Sequence, residues 1–318
     1  MTQLLLLLLT LQAVQPHPHV AAAPGAPGTC TDPLSYQVRL DRAGFSPGEI
    51  DAALGPNLQR AIAAFQKTVN IPSSGRPDCP TWEALGGTGG GDALTEYTLT
   101  SADVNGDYLG EPLPSDLAPQ ARFTALSYAS VTESIAERFH TSPRLLARLN
   151  PGVRFETGVT LRVPAVTPFD PATRPAPDST AGDVSIEVSR HDSTLRAIRA
   201  DGTLAFVAPV SSGSEHDPLP IGTWKVTGTA WKPPFHYNPD LFWDAEPGDS
   251  KATLQPGPNN PVGVVWIDIN VPHYGLHGTP SPNLVGHAQS HGCVRLTNWD
   301  AARLASLVRP GTRVVFSE

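Results

Sequence analysis

The sequence predicts a multidomain protein: a small three-helix domain, a βααβ module and a mainly-β domain, sandwich or barrel, that carries a short C-terminal helix. Two breaks in composition divide its 318 residues into these parts. Glycine fills most of Gly86–Gly91 and prolines recur through Pro164–Ala181, so we expect a flexible joint and a stiffer, extended spacer. Apolar residues also change from helical spacing in the first part to strand-like alternation in the last.

The amino terminus has the layout of a secretory signal peptide, which we predict over residues 1–23. Six consecutive leucines, Leu4–Leu9, are followed by the small residues Ala21–Ala23. The apolar run ends by Val14, and it is shorter than the ~20 residues that a membrane-spanning helix needs. We therefore expect an exported protein of the periplasm or cell wall, with no membrane span in the mature chain.

The charge balance argues against a nucleic-acid partner. The chain has 30 acidic and 22 basic side chains, a net charge of −8, and no run of Lys or Arg. Surfaces that bind nucleic acids are normally basic. The sequence does not predict an oligomeric state.

The chain has three cysteines, an odd number for an exported protein. Cys30 and Cys79 flank the first compact part, and we expect a disulfide between them in an oxidising compartment. That bond would close a loop of about 50 residues and contribute roughly 4 kcal/mol in the chain-entropy model. Cys293 is left over, and an unpaired thiol of this kind is either buried and inert or a reactive group.

The first part, residues 30–86, has apolar side chains at helical spacing after a Gly55-Pro56 start, namely Leu58, Ile62, Phe65 and Val69. Three short helices fit this pattern. The string LDRAGFSPGEIDAALGPNLQRAIAAFQ, with TWEALGG later, resembles the peptidoglycan-binding domain of bacterial wall enzymes. A glycine-rich linker is predicted to follow at residues 87–94.

The second part, residues 95–166, contains TESIAERFHTSPRLLARLNPGVRFETGVTLRVPA. We predict two helices, Ser134–Phe139 and Pro143–Leu149, and then the strand Val159–Pro164. This order resembles a LysM module, a fold that binds N-acetylglucosamine polymers along a shallow groove. A βααβ spacer that binds no sugar is the alternative. A proline-rich linker is predicted at residues 167–182.

The third part, residues 183–318, alternates apolar and polar residues in several short runs, which predicts strands at Val184–Val188, Leu204–Val210, Thr223–Thr229 and Val262–Ile269. Helical patterning is confined mainly to its end. Thr297 stands three residues before Asp300, the spacing of a capping box, and an apolar face follows at Ala301, Leu304, Leu307 and Val308.

A cluster of chemically capable side chains stands out in this third part. Although the chain has only ten histidines, four of them fall with a cysteine in one short stretch: His273, His277, His287, His291 and Cys293. A solvated loop with a buried thiol is one interpretation. A zinc site is a second, because His287, His291 and Cys293 have plausible ligand spacing. Thiol catalysis is the third.

Thiol catalysis needs an imidazole that removes the thiol proton and backbone amides that stabilise the oxyanion. His277 precedes Cys293 by sixteen positions, enough for a loop to bring it back onto the thiol. Gly292 has no Cβ, so a substrate carbonyl can approach the main-chain N–H groups beside Cys293. The stretch therefore contains the parts of an acyl-transfer site.

The same residues resemble the signature of YkuD-type L,D-transpeptidases, with His277-Gly278-Thr279-Pro280, then Gly286, then Ser290-His291-Gly292-Cys293-Val294-Arg295-Leu296. The resemblance covers residues 183–318. It implies a mostly β catalytic domain, Cys293 as nucleophile, His277 as its base and peptidoglycan as substrate and partner. It implies no metal and no organic cofactor.

The neighbours of the pair have expected supporting roles. The amides of Gly292 and Cys293 would form the oxyanion hole, and Gly278 belongs to the motif around His277. We expect His291 and Ser290 to support the loop and Tyr274 to line the pocket. Two roles stay open for Arg295, which either holds a substrate carboxylate or pairs with an acid of its own domain. His287 is expected at the surface.

The reaction implied by the resemblance is attack by Cys293 on the carbonyl of the third residue of a stem tetrapeptide. The terminal D-alanine leaves and the acyl group passes to an amine, which gives a 3→3 cross-link or a related wall linkage. An L,D-carboxypeptidase or cysteine peptidase, in which water replaces the amine, is one alternative. A non-catalytic wall-binding protein is another.

Overall fold

The computed structural model describes residues 29–318, and the predicted signal peptide lies outside these residues. None of the helices formed by residues 29–318 has the length and apolar character to cross a membrane. The α-helices are α1 (Pro33–Ala43), α2 (Pro56–Thr68), α3 (Cys79–Ala84), α4 (Ser101–Val104), α5 (Leu117–Gln120), α6 (Val131–Arg138), α7 (Pro143–Leu149) and α8 (Asn298–Leu307). The strands are β1 (Leu94–Thr98), β2 (Thr160–Pro164), β3 (Val184–Ser189), β4 (Thr194–Arg199), β5 (Leu204–Pro209), β6 (Ser211–Ser212), β7 (Gly222–Trp231), β8 (Phe235–Tyr237), β9 (Ala252–Leu254), β10 (Val265–Ile269), β11 (Gly275–His277), β12 (Val294–Arg295) and β13 (Arg313–Ser317).

Helices α1, α2 and α3 form a small helical domain, as the sequence predicts. Asp32 caps α1 by accepting the backbone N–H groups of Leu34 and Ser35. Gly44 ends α1 in a left-handed conformation, φ 89°. The helices share one apolar core, built from Tyr36, Leu40, Leu58, Ile62, Phe65 and Trp82. A disulfide between Cys30 and Cys79 ties the start of the domain to the start of α3.

The middle segment has the strand–helix–helix–strand order expected from the sequence, with additional short helices between its first strand and α6. Strand β1 pairs antiparallel with β2, from Leu94 opposite Pro164 to Thr98 opposite Thr160. Helix α6 begins three residues before the predicted Ser134. The reason is that Ser130 accepts the N–H of Glu133 at 3.3 Å and caps the helix there.

The third part is mainly β. Nine strands form one sheet in the order β5-β4-β3-β13-β7-β10-β11-β12-β6. The long strand β7 joins its two halves, because its first residues pair with β13 and its last residues pair with β10. Helix α8 packs on this sheet, and Thr297 caps it by accepting the N–H of Asp300 at 3.2 Å. Strands β11 and β12 therefore lie between β10 and β6, where they form one side of a cleft.

The glycine-rich segment does not behave as the predicted flexible joint. Residues 87–89 form a short 3-10 helix, and β1 begins at Leu94. Two arginines of α1 hold the segment through its carbonyl groups: Arg39 donates to Gly87 and Gly91, and Arg42 donates to Gly90. These hydrogen bonds place the segment against α1, and composition does not reveal such long-range partners.

The proline-rich segment is also packed against the protein. Phe169 is buried in the core of the third part, the Asp178 amide donates to Ser306, and the Gly182 amide donates to Leu307. The segment is therefore fixed along its length to α6 and α8, since the Phe169 amide also donates to Arg138. A freely extended spacer is not what the structure contains.

Direct contacts join the three parts into one body. The backbone of the helical domain bridges to β5, where the Val207 amide donates to Gly44 and the Ser46 amide donates to Val207. The Ser46 hydroxyl donates to Asp300 of α8 at 2.8 Å. In the middle segment, Glu137 accepts a hydrogen bond from the Asn298 side chain at 2.8 Å. Each contact is buried, so the parts are not independent of one another.

Burial of Glu137 predicts that the protein loses stability as pH rises. Desolvation raises the pKa of this carboxyl from 4.5 to about 8, so between these values the folded state binds a proton that the unfolded state has lost. The free energy of unfolding should therefore fall from pH 5 to pH 8. Each unit by which folding raises the pKa contributes at most ~1.4 kcal/mol to this fall. Urea unfolding at a series of pH values measures this.

The control for this prediction is Glu137→Gln, which keeps the shape of the side chain and removes the titration. Its stability should fall less steeply than that of the wild type. Some slope should persist, because burial also raises the pKa of Glu49 to about 7 and that of Asp300 to about 6. A stability that increases over this range, or an equal slope in both proteins, would contradict the assignment to Glu137.

Candidate active site

A cavity of about 1390 Å³ opens beside the ends of β11 and β12. Cys293, His277 and Arg295 line its floor. Residues from 233 to 249, which include β8 and a loop, also line the cavity, as do residues 112–117 of the middle segment. The sequence placed the candidate pair in the third part alone, whereas the structure builds their cleft from two parts of the chain.

Strand pairing brings the two halves of the motif together. Strand β11 pairs parallel with β12, with Leu276 opposite Val294 and His277 opposite Arg295. Cys293 is the residue immediately before β12, so this register places it beside Gly275, two residues before His277 on β11. The Cys293 and His277 side chains both line the cavity. Strand β12 is also held on its other side, because it pairs antiparallel with β6. A separation of sixteen residues in sequence thus becomes adjacency in the sheet.

His277 is held as a neutral imidazole. Its Nδ1 donates to the carbonyl of Gly278 at 2.7 Å, and the Trp266 ring stacks on it with centroids 5.4 Å apart. Desolvation, together with the positive charge of Arg295, lowers the pKa of His277 to about 3. Because Nδ1 carries the proton, Nε2 has a free lone pair and can accept one.

Cys293 is half-buried and carries a protonated thiol at rest. Burial raises its pKa to about 11, Arg295 opposes that shift and Asp217 adds to it. The Sγ atom donates to the carbonyl of His273 at 3.5 Å. Among the hydrogen bonds of residues 29–318, none joins Sγ to His277.

Ser290 and Gly292 shape the backbone around the thiol. The Ser290 hydroxyl donates to the carbonyl of Cys293 at 2.6 Å and accepts the N–H of Gly213 at 2.8 Å. Gly292 adopts φ +94°, and a Cβ there would lie 2.6 Å from the Tyr274 ring. Ser290 therefore braces the loop, and Tyr274 packs against the turn that precedes the nucleophile candidate.

His291 and Arg295 form a small network with Asp244. His291 Nε2 lies 2.8 Å from Asp244, and its Nδ1 lies 3.3 Å from the Arg295 guanidinium. The Phe242 and Trp243 rings also pack near His291. Both ring nitrogens of His291 thus have partners, which suits a supporting group better than a base.

The candidate zinc ligands His287, His291 and Cys293 are not grouped around one point. His287 is exposed, and His291 is engaged with Asp244 and Arg295. Within residues 29–318, no three His, Cys, Asp or Glu side chains are grouped as a metal ion would require.

Several residues of the site carry no recognisable signal in the sequence. Trp266, which stacks on His277, lies in an apolar run that predicts only a strand. Asp244 lies in a loop between β8 and β9, distant in sequence from the His291 that it binds. Residues 112–117 belong to the middle segment, whose composition indicates nothing about a cleft. All three depend on contacts between distant parts of the chain.

Comparison with known proteins agrees with this geometry. Residues 183–316 match the L,D-transpeptidase catalytic domain, YkuD, and residues 32–85 match a peptidoglycan-binding domain. YkuD of Bacillus licheniformis, which is named as an L,D-transpeptidase, is 30% identical over 185 residues; the match covers 57% of this chain and 90% of that protein. The chain belongs to the YkuD family of L,D-transpeptidases.

Further relatives of this L,D-transpeptidase match in part. YqjB of Bacillus subtilis, also named as an L,D-transpeptidase, is 29% identical over 143 residues, which cover 43% of this chain and 73% of that protein. Among solved structures, L,D-transpeptidase 3 of Mycobacterium tuberculosis with a faropenem-derived adduct is 17% identical and has a TM-score of 0.36. That match covers 52% of this chain and 76% of the other.

The thiol content of the L,D-transpeptidase can be checked directly. The structure joins Cys30 to Cys79 and leaves Cys293 free, so intact-mass analysis after alkylation without reductant should show one modified cysteine. Alkylation after reduction should show three. A native, active protein in which Cys293 is bridged to another cysteine would contradict every role proposed for its thiol.

Proposed function

We propose that this L,D-transpeptidase is exported to the periplasm or cell wall and acts on peptidoglycan with Cys293 as nucleophile and His277 as base. The observation that carries the proposal is the hydrogen bond from His277 Nδ1 to the carbonyl of Gly278, which leaves Nε2 free to accept a proton. The pairing of β11 with β12 and the shared cavity support the same pair.

The proposed first step is acylation. Because the thiol is protonated and the imidazole neutral, Sγ attacks the carbonyl carbon of the third stem residue as its proton moves to His277 Nε2. The amides of Gly292 and Cys293 would stabilise the oxyanion. The amide bond to D-alanine then breaks, and His277 returns the proton to the departing amine. A thioester on Cys293 remains.

The second step is transfer to an amine. The acceptor nitrogen attacks the thioester carbonyl, and His277 takes its proton and passes it to Sγ, which leaves as the thiol. This restores the resting enzyme and forms the new amide bond. A diaminopimelate side chain, a lysine of an anchored protein or a free D-amino acid would each supply such an amine.

Arg295 is proposed to hold a substrate carboxylate. Its side chain lines the cavity that also contains Cys293, and burial lowers its pKa. The ion pairs formed within residues 29–318 do not include one between Arg295 and an acidic residue. Of the two roles expected from the sequence, the structure thus supports substrate binding over pairing with an acid of its own domain.

The other two parts are proposed to recognise the wall. Residues 30–86 would contact peptidoglycan as the matching domain type does, and residues 95–166 would act as a LysM-like module on glycan strands. The βααβ order of the middle segment supports the second assignment. The segments at 87–94 and 167–182 would then mark the boundaries between domains, with residues 183–318 as the catalytic domain.

Two measurements test this function. A carbapenem has a strained β-lactam carbonyl that a thiol paired with a base can open, so we expect a stoichiometric adduct on Cys293 by mass spectrometry. With isolated sacculi, we expect 3→3 cross-linked muropeptides that accumulate with time. Protein that carries tightly bound zinc and forms no adduct would instead favour the metal interpretation.

Product analysis also separates transfer from hydrolysis. If tetrapeptides become free tripeptides almost entirely, even with amine acceptor in excess, the protein is a carboxypeptidase and only the nucleophile assignment survives. If neither product forms and no adduct appears in folded protein, a wall-binding role without catalysis is the better description.

A further inference from the structure

Asn298, the first residue of α8, packs against Gly278, the residue that follows His277. Its side chain is fully buried and packs against the backbone of Gly278 and Gly263 so closely that a Cβ on either glycine would overlap its Oδ1 atom. Gly278 is the residue whose carbonyl accepts the hydrogen bond from His277 Nδ1. The position of that carbonyl, and of the imidazole bound to it, thus depends on the Asn298 amide.

Three hydrogen bonds set the orientation of the amide. Its Oδ1 accepts the N–H of Val264 at 3.1 Å. Its Nδ2 donates one hydrogen to the carbonyl of Pro258 at 3.0 Å and the other to Oε1 of Glu137 at 2.8 Å. Because an amide nitrogen has two hydrogens, no donor is left over. Val264 and Pro258 belong to the same part of the chain as the site, whereas Glu137 comes from α6 of the middle segment.

The environment of Glu137 suits an uncharged acceptor. The side chain is enclosed, with Tyr128, Glu133 and Glu49 as its polar neighbours besides Asn298. Burial raises its pKa to about 8, so the carboxyl is mostly neutral at pH 7. A neutral carboxyl can accept from an amide without the cost of a buried charge. Glutamine at this position would keep the acceptor oxygen, while methionine would keep the length and lose it.

We propose that Glu137 and Asn298 are positioning residues for His277: the middle segment holds the Asn298 amide, and the amide holds the Gly278 carbonyl that orients the imidazole. The inference rests on the proposed roles of His277 and Cys293. It gives residues 95–166 a task in the chemistry in addition to any task in wall recognition. Glu137 would affect the position of His277 through Asn298, without contacting the substrate.

The test compares Glu137→Gln, Glu137→Met and Asn298→Ala in the full mature chain. We expect Glu137→Gln to acylate with a carbapenem within about twofold of the wild-type rate, and Glu137→Met to be slower by about tenfold. Asn298→Ala should be slower still, because it removes the amide itself. If Asn298→Ala fails to fold, the two variants at Glu137 decide the question alone.

Alkylation of Cys293 by iodoacetamide gives a readout that loosened folding does not mimic. Cys30 and Cys79 are bonded to each other, so the reagent reports on Cys293. With His277 in place, the rate should change little between about pH 5 and pH 9, because the base removes the thiol proton during attack. With His277 misplaced, the rate should rise with pH, since only the thiolate formed in solvent reacts.

Ser46→Ala is the matched control. It removes another buried hydrogen bond to α8, the one to Asp300, from a residue outside the middle segment, and it does not touch Gly278. We expect wild-type rates and a wild-type pH profile. The inference is overturned if Glu137→Met matches the wild type, if Glu137→Gln falls as far as Glu137→Met, or if Ser46→Ala shows the same loss.

Failure of the proposed function looks different. If the wild-type protein forms no carbapenem adduct, the proposed transpeptidase mechanism is contradicted, whatever the variants show. If the wild-type protein is acylated normally and the variants keep the wild-type pH profile of alkylation, only the inference about Glu137 and Asn298 is contradicted.

Discussion

Replacing His277 by alanine is expected to slow acylation of Cys293 by about 10²–10⁴-fold at neutral pH, the usual contribution of a positioned base. The pKa of Cys293 is about 11, so without a base only ~10⁻⁴ of the thiol is ionised at pH 7. The residual rate should therefore rise about tenfold per pH unit. Single-turnover opening of a carbapenem, followed by absorbance, measures both effects.

His291→Ala is the comparison variant, because it removes the other histidine near the thiol. Its two ring nitrogens are already engaged by Asp244 and Arg295, so we expect a smaller loss of acylation. Circular dichroism and thermal unfolding should show that both variants are folded. If the larger loss belongs to His291→Ala, the two histidines exchange roles.

Replacing Gly292 by alanine is expected to lower acylation by at least ~10²-fold, the usual effect of losing an oxyanion donor. The backbone there has φ +94°, and the added Cβ would lie 2.6 Å from Tyr274. That contact must push the turn or the ring aside. Either movement displaces the Gly292 and Cys293 amides from the position proposed for the oxyanion. The same single-turnover assay measures the loss.

Gly311→Ala separates this steric effect from backbone strain. Gly311 has nearly the same φ, +95°, but a Cβ there would meet no atom within 4 Å. We expect that variant to lose about 1 kcal/mol of stability and to acylate at the wild-type rate. If Gly292→Ala and the wild type are acylated at equal rates, the amides of this turn do not form the oxyanion hole.

Local signals in the sequence predicted the parts of the fold that depend on neighbouring residues. The Gly55-Pro56 start gave the beginning of α2, and Thr297 with Asp300 gave the beginning of α8. The alternating runs gave β3, β5 and most of β7. The sequence motif indicated His277 and Cys293 as a candidate pair. The two residues are only sixteen positions apart, so a single loop is enough to bring their strands together.

Long-range contacts are what the sequence could not reveal. Glu137 and Asn298 are 161 residues apart, and Ser46 and Asp300 are 254 apart, yet each pair shares a buried hydrogen bond. Composition predicted free linkers because glycine and proline are common in them. Arginine partners on α1 and burial of Phe169 fix those segments instead, and neither leaves a mark in local composition.

The buried contacts between the parts have a consequence for truncated proteins. A fragment of residues 183–318 would keep Cys293 and His277, but the Asn298 amide would lose its partner Glu137 and the Asp300 carboxyl would lose its partner Ser46. Excision would also uncover Val207, which the helical domain covers, and remove the 112–117 wall of the cleft. Rates measured on such a fragment would describe a cavity that lacks its lining from residues 112–117, so kinetic measurements should use a protein that contains all three parts.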